Sequence, residues 1–210
     1  SCINFLMKDN TYSSCGGRAI GFGFDNKKNI FGKQIYQKLK NLTLNQKSSK
    51  ARITNHFSNY VPAHFYSVIK SNNWKKICPH VFKQKYDFFG SIELQVEFLI
   101  ILSGKSKIIS ELMWMRSHGV QQLKFNLPQS KMQDWWSKKK FQDEKLKFLK
   151  SLKKASIELS FEKKQGYTED DISNFFEIYI NNNLFRKYEK LRQIKRSVLK
   201  WLKISNNKNN

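Results

Sequence analysis

The residues that could carry chemistry are few and scattered along this chain. Its histidines are His56, His64, His80 and His118, and the acids that precede Asp134 are Asp9, Asp25, Asp87, Glu93, Glu97 and Glu111. Hydrolytic chemistry needs a general base, and usually a metal cluster, at a defined spacing. No pair here stands at such a spacing, so we predict no catalytic residue, no cofactor, no bound metal and no small-molecule substrate.

The cysteines offer one alternative site. Cys2, Cys15 and Cys78, together with His80, contain the right donor types for zinc. Their spacing lacks the paired Cys-x-x-Cys typical of structural zinc sites, and three cysteines are not a secreted disulfide framework. The pattern favours unpaired thiols in a reducing compartment and leaves zinc open.

Charge is the strongest feature of the sequence. The 210 residues include 33 lysines and six arginines against 16 acids, a net charge of +23. Such a chain repels itself unless a polyanion neutralises it, and a phosphate backbone is the best match. With 40% hydrophobic residues the chain folds. Its longest aliphatic run, 98–102, is far short of the roughly 20 residues that span a membrane, so no membrane partner is predicted.

The charge is concentrated in segments. Residues 27–54, 70–85, 131–154 and 184–203 are strongly basic, whereas 169–182 carries four acids and no cation. We interpret the basic segments as RNA-facing and the acidic one as a face for a protein neighbour. The expected division is a basic extension over 1–55, an aromatic and basic region over 56–130, basic helix, strand and C-terminal helices over 131–204, and a disordered tail over 205–210.

Periodicity predicts most of the elements. Helices are expected near 32–42 and over 108–117, 131–154, 169–182 and 184–203; strands are expected over 120–127 and 157–161; a basic loop is expected over 45–55. Thr168 and Asp171 form a capping signal for the helix over 169–182. The run 94–100 suits a helix or a strand equally.

One stretch resembles a known family. Between 96 and 128, Glu97 is followed by a basic turn, by a helix that ends in His118-Gly119, and by the step Lys124-Phe125-Asn126-Leu127-Pro128. This order is similar to the RNA-binding motif of the small-subunit ribosomal protein S4 family. The resemblance implies a helix-rich α+β fold with an S4-like helix–turn–helix–strand RNA-binding unit, to which the acidic and basic C-terminal segments add a helical hairpin.

The RNA-binding residues predicted from this motif and from the basic helix after it are Lys105, Lys107, Arg116, Ser117, His118, Gly119, Lys124, Asn126, Lys138, Lys139 and Lys140. The predicted function is that of a structural constituent of a ribosome, of the mitochondrial small subunit, in the mitochondrial matrix. Its partners would be rRNA and neighbouring ribosomal proteins. The alternative is a basic metal-dependent nuclease or RNA-processing enzyme, for which His64 and His118 are the histidines to test.

Overall fold

The computed structural model describes residues 1–25, 30–35, 42–118, 132–159 and 166–182. Within these ranges the fold is α+β and rich in helices, as predicted. The helices are α1 (Cys2–Lys8), α2 (Ser49–Ser58), α3 (Ser71–Phe82), α4 (Phe89–Leu102), α5 (Met132–Ser137), α6 (Gln142–Leu159) and α7, whose described part covers 169–182. The strands are β1 (Tyr12–Asp25), β2 (Ile30–Ile35), β3 (Val68–Ile69) and β4 (Lys105–His118), and short 3-10 turns span His64–Tyr66 and Lys139–Phe141.

The sheet is built around β1. On one side β1 pairs in parallel with β4, from Tyr12 opposite Lys105 to Gly23 opposite His118. On the other side its first half pairs with β3 and its second half with β2, both antiparallel. The central strand therefore comes from the segment that the sequence assigned to an N-terminal extension.

Glycine allows β1 and β4 to approach closely. A Cβ atom on Gly17 would lie 2.6 Å from the carbonyl oxygen of Glu111 and 2.7 Å from Cβ of Met113. These distances are too short for any other residue unless the backbone of β4 moves. The pairing register shifts on either side of Arg18, as expected where a strand accommodates such a contact.

The core surrounds α4. Nearly every residue of this helix from Leu94 to Leu102 is buried, because α2, α3, α6 and the turn His64–Tyr66 all pack against it. A helix that is apolar all round is a central helix, so this packing resolves the helix-or-strand ambiguity of 94–100. The core cluster runs from Leu44 to Ile180 and so crosses the predicted domain boundaries at 55 and 130.

The capping signal before α7 is confirmed. The amide of Asp171 donates to Thr168 Oγ1 at 3.1 Å, and the Asp171 carboxylate accepts from the amide of Thr168 at 3.1 Å. This reciprocal pair satisfies amide groups that a helix start otherwise leaves unpaired. Gly166 turns the chain just before it with φ of 67°, as the sequence indicated.

Several other predicted elements are wrong. The helix expected near 32–42 begins inside β2, and the loop expected over 45–55 contains the start of α2. The helix expected over 108–117 is part of β4, because β1 pairs with this segment along its whole length. The basic helix over 131–154 is divided into α5, a 3-10 turn and α6, and α6 continues to Leu159, where a strand was expected.

The predicted strand over 120–127, the helix over 184–203 and the tail over 205–210 lie outside the described residues. No helix in the described part of the chain is long and apolar enough to cross a bilayer.

Candidate nucleic-acid interface and a buried polar cluster

A basic cleft opens where β1 and β4 begin. It has a volume of about 460 Å³, and its cations are Lys47, Arg52, Lys70 and Lys105. Lys105 Nζ stands 5.7 Å from the centre of the Tyr12 ring, and Lys70 Nζ donates to the carbonyl oxygen of Asp9 at 3.1 Å. We call this the Lys105 cleft. Because several ammonium groups meet there, it can hold a phosphate group.

Buried Arg52 fixes the wall of the Lys105 cleft. Its guanidinium donates to the carbonyl oxygens of Lys47 at 2.7 Å, Gln46 at 3.0 Å and Ile101 at 3.1 Å. The last carbonyl lies at the C-terminal end of α4, where the helix dipole favours a cation. Arg52 therefore joins the loop before α2 to the end of α4, and it fixes the backbone of Lys47, which lines the cleft.

A second basic cleft lies between α3 and α6, with a volume of about 510 Å³. We call it the α3–α6 groove. It is lined by Lys75 and Lys76 of α3, by Lys83, the residue that follows α3, and by Lys154 of α6. All four side chains are exposed. The acid among its lining residues is Glu158, whose Oε2 lies 3.1 Å from His80 Nε2. Four lysines facing one carboxylate give the groove a strongly positive potential.

The structure separates the predicted RNA-binding residues. Lys105 and Lys107 lie half-buried at the start of β4, and Lys105 lines the Lys105 cleft. Lys138, Lys139 and Lys140 are exposed between α5 and α6 and line neither of the two clefts. Lys138 Nζ is 3.0 Å from Asp134 Oδ2, and Lys140 Nζ lies 4.6 Å from the centre of the Phe141 ring.

The remaining predicted residues fall at or beyond the end of β4. The backbones of Arg116, Ser117 and His118 form its last three positions, opposite Gly21, Phe22 and Gly23 of β1. These three lie in a strand, not at the end of a helix as the S4-like unit requires. Gly119, Lys124 and Asn126 lie outside the described residues.

A buried polar cluster lies beneath these surfaces. His56 of α2, His64 of the 3-10 turn and Glu97 of α4 are all fully buried, and one nitrogen or oxygen of each lies within 4.8 Å of those of the others. We call these three residues the His–Glu cluster. His56 Nε2 is 3.1 Å from Glu97 Oε2, but the contact lacks the geometry of a hydrogen bond.

Neighbouring polar groups orient two members of the His–Glu cluster. Ser106 Oγ lies 2.6 Å from His64 Nδ1, and Ser14 Oγ donates to Ser106 Oγ at 2.8 Å. The amide of Phe65 donates to Glu97 Oε1 at 2.5 Å. Strands β1 and β4 thus hold one histidine from behind, and the 3-10 turn holds the carboxylate.

Burial controls the protonation of the His–Glu cluster. It lowers the pKa of His56 to about 3 and that of His64 to about 4. It also raises the pKa of Glu97 to about 7, although the nearby His64 and the amides of Phe65 and His64 oppose this shift. Charged forms are disfavoured where water is excluded, so both imidazoles are neutral at physiological pH.

The structure also shows where the four residues considered for a zinc site, Cys2, Cys15, Cys78 and His80, lie. Cys2 and Cys15 are buried together beside α1, where burial and then Cys2 raise the pKa of Cys15 to about 12. Cys78 and His80 lie on α3. Among the described residues the grouping with metal-ligand character is the His–Glu cluster, not these four.

One sequence feature could have indicated the His–Glu cluster, although its members are far apart along the chain. Glu97 follows Glu93 by four residues on α4, and Tyr60 lies two residues past the end of α2, which carries His56. Glu93 and Glu97 therefore lie on one face of α4. This face meets the segment after α2, since Tyr60 donates to Glu93 Oε1 at 2.8 Å. Acidic residues on an otherwise apolar helix indicate a buried polar site. This indication was missed because the sequence did not decide whether 94–100 is a helix or a strand.

Comparisons with protein-family models, with curated proteins and with solved structures found nothing that matches this chain.

Proposed function

We propose that this protein binds RNA, using lysine-lined clefts to neutralise phosphates. The observation that carries the proposal is the α3–α6 groove, where Lys75, Lys76, Lys83 and Lys154 face a single carboxylate. Ammonium groups act as point charges on phosphates and read no base edges. Recognition is therefore of backbone and shape.

The overall charge supports the same function. A net charge of +23 is offset by a polyanion, and the Lys105 cleft supplies a second group of phosphate-binding lysines. Lys105 belongs to both the predicted RNA-binding set and this cleft. The nuclease alternative has less support, because it needs a base that reaches the polymer and His64 is fully buried.

In its narrower form the proposal is a structural component of an organellar ribosome, in the mitochondrial small subunit. This form rests on composition and on the residues of the S4-like motif. The segment Lys105–His118 forms a strand where the S4-like motif has its second helix. The ribosomal assignment therefore depends mainly on charge.

The experiment is RNA binding by the purified full chain at a series of salt concentrations, together with sedimentation of the native protein. We expect affinity to fall steeply with salt and the chain to co-sediment with ribosomal particles. Salt-independent binding, or none, contradicts RNA binding. RNA binding with sedimentation in membranes after a high-salt, EDTA wash contradicts only the ribosomal form. Metal-dependent hydrolysis of the RNA, lost on replacing His64 or His118, favours the nuclease.

A further inference from the structure

Unpaired polar atoms are concentrated in the His–Glu cluster. Seven buried side-chain nitrogen or oxygen atoms of the described residues have no hydrogen-bond partner. Four of these seven belong to the cluster: His56 Nδ1, His56 Nε2, His64 Nε2 and Glu97 Oε2. A buried polar atom without a partner costs about 1–3 kcal/mol, so four in one place call for a bound group.

The charge of the site points to a cation. Glu93 lies one helical turn before Glu97 on the same helix, and its Oε1 accepts from the Tyr60 hydroxyl at 2.8 Å. Among the described residues no lysine or arginine lies within ion-pair distance of either carboxylate. A dication would balance the two carboxylates.

The donor atoms fit a transition metal. Neutral imidazole nitrogens and a carboxylate oxygen are ligands of zinc, whereas calcium and magnesium prefer oxygen alone. An imidazole that donates from Nδ1 to Ser106 presents the lone pair of Nε2 to a metal. This is the outer hydrogen bond that metal-bound histidines usually make.

We propose that His56 Nε2, His64 Nε2 and Glu97 Oε2 bind one divalent transition-metal ion, zinc by preference, which ties α2, the 3-10 turn and α4 together. The site is structural, because its ligands are fully buried and no substrate reaches them. The ion gives a partner to three of the four unpaired atoms. It binds as the chain folds, since the three ligands come from separate elements.

The test is metal analysis of the untagged, purified full chain, with thermal unfolding before and after removal of metal by a chelator. We expect about one zinc per chain, and re-addition of zinc chloride to about 100 times its dissociation constant should raise the Tm by roughly 5–10 °C. A chain without transition metal whose Tm does not respond to zinc chloride overturns the proposal, and the cluster is then a polar network.

The chain offers a matched control pair. His80 Nε2 and Glu158 Oε2 are also 3.1 Å apart, but Glu158 is half-exposed. Glu97→Gln keeps an acceptor for the Phe65 amide and should abolish zinc binding and the zinc response, whereas Glu158→Gln should keep both. Glu97→Gln that retains wild-type zinc content refutes the site.

Cobalt in the wild-type chain keeps the test decisive if Glu97→Gln fails to fold. Binding through nitrogen and oxygen gives visible d–d absorption without an intense sulfur-to-cobalt band in the near ultraviolet. A strong sulfur band that disappears in Cys2→Ser or Cys78→Ser places the metal on the cysteines and overturns the proposal.

Discussion

The α3–α6 groove can be tested by neutralising one lysine from each of the two segments of the chain that line it. Lys83→Gln with Lys154→Gln removes one cation just after α3 and one from α6, and it leaves the apolar core untouched. The slope of log affinity against log salt concentration changes by about 0.7 for each phosphate contact with single-stranded RNA and by about 0.9 for a duplex. Loss of two contacts should therefore make the slope shallower by about 1.4 to 1.8. If wild type and variant bind equally at about 1 M salt, this difference in slope corresponds to an affinity about 10- to 30-fold lower for the variant at about 0.15 M salt.

The assay is fluorescence anisotropy of a labelled RNA, titrated at several salt concentrations. The control is Lys8→Gln with Lys50→Gln, which removes the same charge from two exposed lysines that line neither cleft. We expect the control to keep the wild-type slope. If the two double variants lose slope equally, net charge alone governs binding. If neither loses slope, RNA does not occupy the groove.

Three further predictions concern the elements that hold these surfaces in place. Gly17→Ala should reduce the free energy of unfolding by about 1–3 kcal/mol in denaturant titration, since its Cβ meets the backbone of β4; a change no larger than that of exposed Ser110→Ala would contradict this. Arg52→Met should lower the free energy of unfolding by about 3 kcal/mol or more, because it leaves one buried and two partly buried carbonyl oxygens without their donor. Exposed Lys50→Met should change it little, and equal losses would refute this role. Thr168→Ala should lower the free energy of unfolding by about 1 kcal/mol, and Thr168→Ser should lower it much less. Equal losses would show that the hydroxyl does not cap α7.

Local features were predictable from the sequence. The cap at Thr168, the turn at Gly166 and the helix after them depend on residues within a few positions of one another, and they are present as predicted. The segmentation of charge is likewise a property of the sequence. The basic segments at 70–85 and 131–154 contain the lysines that line the α3–α6 groove.

The assignment of Lys105–His118 failed for a physical reason. Its residues do not alternate strictly between apolar and polar, and Ile108, Leu112 and Met115 also suit one face of a helix. The segment is extended because β1, some 90 residues earlier, pairs with it along its whole length. A pairing partner at that separation outweighs local preference, and periodicity within a short window cannot reveal it.

The sequence by itself determined the sign and the segmental distribution of the charge and the capped start of α7, since these follow from composition and near neighbours. Only the tertiary structure decided which lysines share a cleft and which buried groups meet. His56, His64 and Glu97 are scattered along the chain, and they come together because α2 and the 3-10 turn both pack on α4. The number of residues between two positions in the sequence does not determine how close packing brings them in three dimensions.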